Sequence, residues 1–209
     1  MKKFTKYILF ISLGLLCSCS DYLDIVPDNV TTLDIVFNNK NTAQRYLANC
    51  YHFVPDHGSV KRIPGMGAGH ECWFYTDKDS YFDNEVSFYI ARGLQNTNAP
   101  YANYWDGEGG SKLPMFRAIR ECNIFLSYVR DQHKVNDLTD SERKRWIAEV
   151  NVLKAYYHFF LFEHYGPIPI VDEALPVSTS SEGVKVTRMP VDQVVDFMVK
   201  LRHLYTTRH

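Results

Sequence analysis

Hydrophobic and polar positions change their spacing several times along this chain, and each change predicts an element. Lys2, Lys3 and Lys6 make a basic start, and an apolar run follows from Tyr7 to Leu16. At about ten residues the run is half of what a bilayer-spanning helix needs, and it fits the hydrophobic region of a secretory signal. Between Ser20 and Lys40 polar and apolar residues alternate loosely, and Pro27 bars a regular helix. An extended tether lying down on the domain is expected there. Ala43, Leu47, Cys50, Tyr51 and Val54 then recur at three- and four-residue steps, which predicts a helix capped by Asn41 and ended by Pro55.

From Pro55 to Gly110 no period is sustained, and Gly65, Gly67, Gly69, Gly107, Gly109 and Gly110 punctuate the stretch. So long a loop inside a compact domain is usually functional or locally folded. Periodicity returns with Phe116, Ile119, Asn123, Leu126 and Val129, where Pro114 suits a first helical turn. The third helix is the best marked. Thr139 and Glu142 stand at capping-box spacing, and Gly166 and Pro167 close it. The 24 or so residues between run roughly 36 Å. Its stripe is Trp146, Val150, Leu153, Tyr157, Phe160 and His164; Arg143, Lys144, Glu149 and Lys154 are expected to face water or partner helices. From Ala155 to Tyr165 it is apolar nearly all round, so other elements must wrap it. A fourth helix follows, with Val191, Val194, Val195, Met198 and Leu201 inward. The fold class is mainly α, without a convincing sheet.

The junction after the apolar run decides the compartment. Leu16-Cys17-Ser18-Cys19 resembles a bacterial lipobox, in which the chain is cut before a cysteine whose thiol carries lipid. A cut before Cys17 would leave bulky Leu16 at the last position, so Cys19 is the expected lipidation site, with residues 1–18 removed. An ordinary secretory signal ending in cysteines is the alternative. Three of the 23 basic residues leave with the signal, so 20 remain against 24 acidic ones, formally −4. No basic excess remains to hold a phosphate backbone, and nucleic acid is not an expected partner. Beyond the anchor, Cys50, Cys72 and Cys122 are an odd number and show no zinc-ligand spacing. Buried free thiols are expected, with one disulfide as the alternative outside the cytoplasm.

Candidate chemistry is sparse. His70-Glu71-Cys72 are adjacent, so in an extended chain they point to opposite faces and do not converge on one ion. His158 and His164 lie on different sides of their helix. No HExxH, GxSxG or phosphate-loop lysine motif occurs, so no enzyme, metal or cofactor is called for. The chain is rich in aromatics, with 14 Tyr, 13 Phe and 3 Trp. In the loop region they interleave with acids and amides. Trp73, Tyr75, Asp77, Tyr81 and Asn84 are therefore the candidate ligand-binding residues. Sugars have apolar C–H faces and a polar rim, which suits flat rings beside carboxylates and amides. The other reading is that these rings anchor an irregular loop to the helices.

Four stretches together resemble the SusD/RagB-like outer-membrane lipoproteins. "CSDYLDIVP" is similar to the family's anchor and tether. "YWDGEGGSKLPMFRAIRECNIFL" is similar to a family helix through Trp105, Phe116, Ile119 and Asn123. "AEVNVLKAYYHFFLFEHYGPIPIV" resembles its hallmark, and "TRMPVDQVVDFMV" the segment after it. The resemblance implies tetratricopeptide-like helix pairs with long irregular loops. It also implies a lipid-anchored protein on the outer membrane that captures glycan or another oligomeric nutrient. Its partner would be a SusC-type TonB-dependent transporter. Leu153, Ala155, Tyr156, Tyr157, Gly166 and Pro169 would be packing and turn residues.

Two departures stand out. Lys154 replaces the family's usual arginine, exchanging a planar fork for a point charge. Family members are also about twice this length or more, and "KLRHLYTTRH" turns basic where the pattern would continue acidic. The expected organisation is a signal at 1–18, anchor and tether at 19–40, and a SusD-like N-terminal helical domain at 41–209, truncated at its C-terminus. A scaffold lipoprotein without a small-molecule ligand, or a truncated non-functional product, is the alternative.

Overall fold

The computed structural model describes residues 32–59, 64–69, 86–98, 100–107, 112–175 and 186–206. The chain divides into Met1–Leu33 and Asp34–His209; the account below concerns the second unit. Among the described residues the only regular elements are helices: α1 (Leu33–Val36), α2 (Lys40–Tyr51), α3 (Pro64–Gly67), α4 (Val86–Ala91), α5 (Met115–Arg130), α6 (Asp140–Tyr165) and α7 (Val191–Thr206). The mainly α expectation stands. α1 is a single turn inside the stretch expected to be extended, and α3 and α4 are short turns inside the long irregular region.

Helix α6 is the spine. It packs against α5 on one side and α7 on another, and α2 packs across both α5 and α6. Its start is the capping box the sequence foretells. The Thr139 hydroxyl accepts from the Glu142 backbone N–H, and the Glu142 carboxylate accepts from the Thr139 N–H. Glu142 also pairs with Lys40 of α2, and these bonds hold its pKa down at about 2. Its end is Gly166, whose φ of 68° and ψ of −125° suit glycine alone.

Helix α2 starts two residues earlier than Asn41 suggests. Asn39 is the cap, accepting from Thr42 N–H. The Lys40 N–H is bound by the Asp137 carboxylate at 2.8 Å, so a distant turn helps fix the start. Ala43, Leu47 and Cys50 are buried as the stripe requires, whereas Tyr51 and Val54 are exposed and the helix ends before Val54. Phe37, from the end of the expected tether, is fully buried and stacks on Tyr128 at 4.5 Å.

Two of the charged residues expected to face water or partner helices are buried. The Arg143 guanidinium donates to the carbonyls of Val129, Asp131, Lys134 and Val135, closing the end of α5 and the turn after it. The Val129 carbonyl, in the last turn of α5, is one that helix geometry leaves without a partner. Lys154 is 1% exposed and donates to the backbone carbonyl and carboxylate of Asp172. The all-round apolar end of α6 is not wrapped on every side: Phe159 stays about half exposed, as does Val152 just before that end. On α7, Val194 and Leu201 are buried, but Val191 and Val195 join Val199 on an outward stripe. Their four-residue step keeps that stripe apart from the face that meets α6.

Candidate functional site

The chain leaving α6 runs back along α5 and lines a cleft with an apolar floor and a polar rim. Asn123 of α5 donates to the Val171 carbonyl at 3.1 Å, and Arg120 donates to the Leu175 carbonyl at 2.8 Å. Arg120 and Phe116 stand four residues apart, so both look out from one face of α5 toward this segment. Ile168 and Pro169 are buried beneath it, and Met189 N–H bonds to the Ile168 carbonyl, which brings in the strand of coil before α7.

Trp105 supplies the aromatic wall. It sits on a tight turn in which Asn103 Oδ1 accepts its backbone N–H, while Asn103 Nδ2 donates to Asp106. Tyr165, at the end of α6, fixes the same turn: its hydroxyl accepts from Tyr104 N–H and donates to the Ala102 carbonyl. The Trp105 ring meets Phe116 edge-on at 4.7 Å and Tyr165 at 5.5 Å. The Arg188 guanidinium lies 5.0 Å from the indole centroid and donates to the Pro167 carbonyl. The cleft holds about 330 Å³ and is bounded by Trp105, Phe116, Arg120, Pro169, Val171, Glu173, Leu175 and Val186.

Its chemistry is an apolar floor with a guanidinium and a carboxylate at the rim. Such a slot suits a ligand with an apolar face and hydrogen-bonding edges. The described residues that line it hold no nucleophile–base pair. Among the described residues no cluster of His, Cys, Asp and Glu could hold a metal ion. His158 is buried, with Nδ1 donating to the Lys154 carbonyl, while His164 is exposed and packs on Tyr104.

The sequence candidates Trp73, Tyr75, Asp77, Tyr81 and Asn84, and the lipidation candidate Cys19, lie outside the described residues. The stretch carrying the loop candidates is bracketed by ordered packing. His57 Nε2 and the Tyr156 hydroxyl are 2.5 Å apart on one side, and Tyr89 stacks on Tyr101 at 4.2 Å on the other. The sequence reading missed Arg120 and Glu173. The four-residue step from Phe116 to Arg120 was the available signal, but nothing local showed that the exit segment would return to that face.

A family model described as "Starch-binding associating with outer membrane", SusD-like, matches residues 21–202. The chain belongs to this SusD-like family. Solved structures agree in fold. One called BT4246 shares 24% identity with a TM-score of 0.59, covering 78% of this chain and 25% of its own. A laminarin-binding SusD-like protein gives 18% identity, a TM-score of 0.62, and coverage of 81% and 34%. A SusD-like protein of Bacteroides fragilis NCTC 9343 gives 17%, 0.56, and coverage of 84% and 30%. This chain thus spans about a quarter to a third of the length of the solved structures it matches. No curated protein matches it. The SusD-like family is carbohydrate-binding and associated with the outer membrane, and no helix among the described residues is long and apolar enough to cross a membrane.

Proposed function

We propose that this SusD-like chain belongs to a cell-surface lipoprotein, anchored through Cys19, that captures glycan. It would hand that glycan to a SusC-type TonB-dependent transporter. The observation that carries the reading is the cleft at Trp105, placed within a chain whose family binds starch at the outer membrane. Its aromatic wall can take the C–H face of a sugar, and Arg120 and Glu173 can reach hydroxyls at the rim. A laminarin-binding relative of the same fold supports an oligosaccharide as the ligand class. The loop residues Trp73, Tyr75, Asp77, Tyr81 and Asn84 are proposed as a second set of contacts. The role is capture, not catalysis.

The test is binding of the mature chain, Ser20 to His209, to soluble starch, laminarin and other polysaccharides, with circular dichroism on the same sample. A folded chain that retains one glycan class supports the reading. A folded chain that retains none overturns it for this part of the protein. A scaffold role is the second reading, and the outward stripe of Val191, Val195 and Val199 favours it.

A further inference from the structure

The cleft at Trp105 carries positive charge that nothing around it cancels. Arg120, half-buried, lines it with Trp105 and Phe116, and exposed Arg188 lies over the indole, 5.0 Å from the ring centroid. Both guanidiniums are held by backbone carbonyls, and neither is paired with a carboxylate among the described residues. Arg120 Nη1 donates to the Leu175 carbonyl, and Arg188 Nη1 donates to the carbonyls of Pro167 at 3.1 Å and Tyr165 at 3.5 Å. Elsewhere Lys40, Arg117, Lys134, Arg145 and Lys154 each meet an acid. The acids next in sequence to cleft residues are engaged by other groups: Asp106 by Asn103, Glu121 by Tyr46 and Asp172 by Lys154. Among the described lining residues Glu173 is the single carboxylate, which sets two cations against one anion. The whole sequence is formally −1, so this positive charge is local and not a share of a basic surface.

We propose that the ligand of this cleft is an acidic glycan, one whose sugars carry carboxylates; the inference rests on the capture reading above and narrows its ligand class. A carbonyl fixes each guanidinium through Nη1 without cancelling its charge. The rest of the fork is thereby positioned in advance for a planar anion, which it meets with two parallel N–H bonds. Arg188 also occupies one face of the indole, so a neutral ring stacking on that face displaces a cation and gains little. A uronate sugar keeps both contacts. Its C–H face rests on the apolar floor of Phe116, Pro169 and Val171, its carboxylate meets a guanidinium, and Glu173 accepts from hydroxyls. A chain with an acid on successive sugars offers one carboxylate to Arg120 and another to Arg188. Neutral glycans share the floor and the hydroxyl contacts but not the charge-assisted bonds, so they bind more weakly.

The experiment titrates the full 209-residue chain with oligogalacturonate, oligoalginate and chondroitin oligosaccharide, each beside its carboxyl methyl ester, and with laminarin and soluble starch. At least one acid form should bind roughly tenfold or more tightly than its ester, which has the same backbone without the carboxylate charge. Raising salt from 50 to 200 mM should weaken the acid form and leave the ester nearly unchanged. Arg120→Gln and Arg188→Gln should each erase most of the preference for acid over ester, while Arg188→Lys, which keeps the charge but loses the fork, should keep part of it. The comparison of acid with ester on the unsubstituted chain stands even where a variant folds poorly. Acid and ester bound equally, or laminarin or starch bound more tightly than every acid form, overturns the acidic class and leaves glycan capture standing. A folded chain that binds no probe overturns both. A preference for acid that survives both glutamine variants overturns the assignment to this cleft.

Discussion

The Lys154 ammonium, 1% exposed on α6, lies 2.5 Å from a carboxylate oxygen of Asp172, which is itself largely solvated. The buried member of the pair is the cation. Burial pulls the Lys154 pKa down, with the Asp172 hydrogen bond opposing it. Burial pushes Asp172 up, but the Lys154 hydrogen bond and charge leave it below its ordinary value. Removing one partner is therefore not equivalent to removing the other. Asp172→Asn strands a desolvated charge and should cost roughly 2–4 kcal/mol. Lys154→Met leaves a carboxylate that water can serve, and should cost about half as much. Urea unfolding of both variants checks the order; equal losses would mean that the ion pair does not set the local stability.

Next to this pair, His158 makes stability depend on mild acid. Its Nδ1–H donates to the Lys154 carbonyl, while Nε2 is buried without a hydrogen-bond partner. Burial, ahead of the Lys154 charge, lowers its pKa from 6.5 to about 4. The unfolded chain therefore binds the proton first, and between pH 6.5 and 4 it holds more protons than the folded chain. Stability from this group is complete above pH 6.5 and falls as the pH drops toward 4, by up to about 3 kcal/mol. His158→Gln should flatten that part of the unfolding profile against wild type. A wild-type slope that survives the substitution would assign the effect to carboxylates instead.

Most of the helical frame was legible because it rests on local rules. Thr139, Glu142 and Gly166 announce both ends of α6 by side-chain and backbone chemistry that needs no tertiary partner. What escaped depends on distant chain. Asn39 and Asn41 are equally good caps by type, and the Asp137 carboxylate on Lys40 N–H favours the earlier start. Arg143 and Lys154 read only as facing water or partner helices, because their acceptors include backbone carbonyls, those of Val135 and Asp172 among them, that carry no sequence signature. The cleft was half legible: Trp105 and Phe116 stood out as motif positions, whereas Glu173 reaches the site only because Asn123 and Arg120 turn the exit segment back along α5.

Two glycines should fail for different reasons. Gly107 has φ +81°, and a Cβ there would meet the Pro114 ring and backbone nitrogen at 2.7 Å. Gly166 has φ +68° with open space around it. Gly107→Ala thus adds a clash with backbone to a strained conformation, while Gly166→Ala adds only the strain, roughly 1–3 kcal/mol. Thermal melts should rank Gly107→Ala below Gly166→Ala. The reverse order would show that the turn before α5 yields more easily than the end of α6.

The hydroxyl of Tyr157 has a role separable from its ring. It donates to the Cys50 carbonyl in the last turn of α2, where helix carbonyls lack intrahelical partners. Tyr157→Phe keeps the aromatic packing and leaves that buried acceptor unserved, a loss of about 1–3 kcal/mol. Calorimetry or urea unfolding should register it with no change in glycan binding, since the group lies in the core and not at the cleft.

Trp105 is where stability and binding can be told apart. Its ring packs on Phe116 and Tyr165, so Trp105→Ala should lower the melting temperature as well as weaken glycan binding. Loss of an aromatic contact worth 0.5–1.5 kcal/mol predicts roughly a two- to tenfold weaker association. Glu173 is exposed at the rim of the same cleft. Glu173→Gln keeps the shape and removes only the charge, so it should leave the melting temperature unchanged while weakening binding by a smaller factor. Titration calorimetry with laminarin and with soluble starch measures both. Binding that is weakened by Trp105→Ala but indifferent to Glu173→Gln would mean that the indole acts through the fold and that sugar is held elsewhere, with the loop candidates Trp73, Tyr75 and Tyr81 next to be substituted.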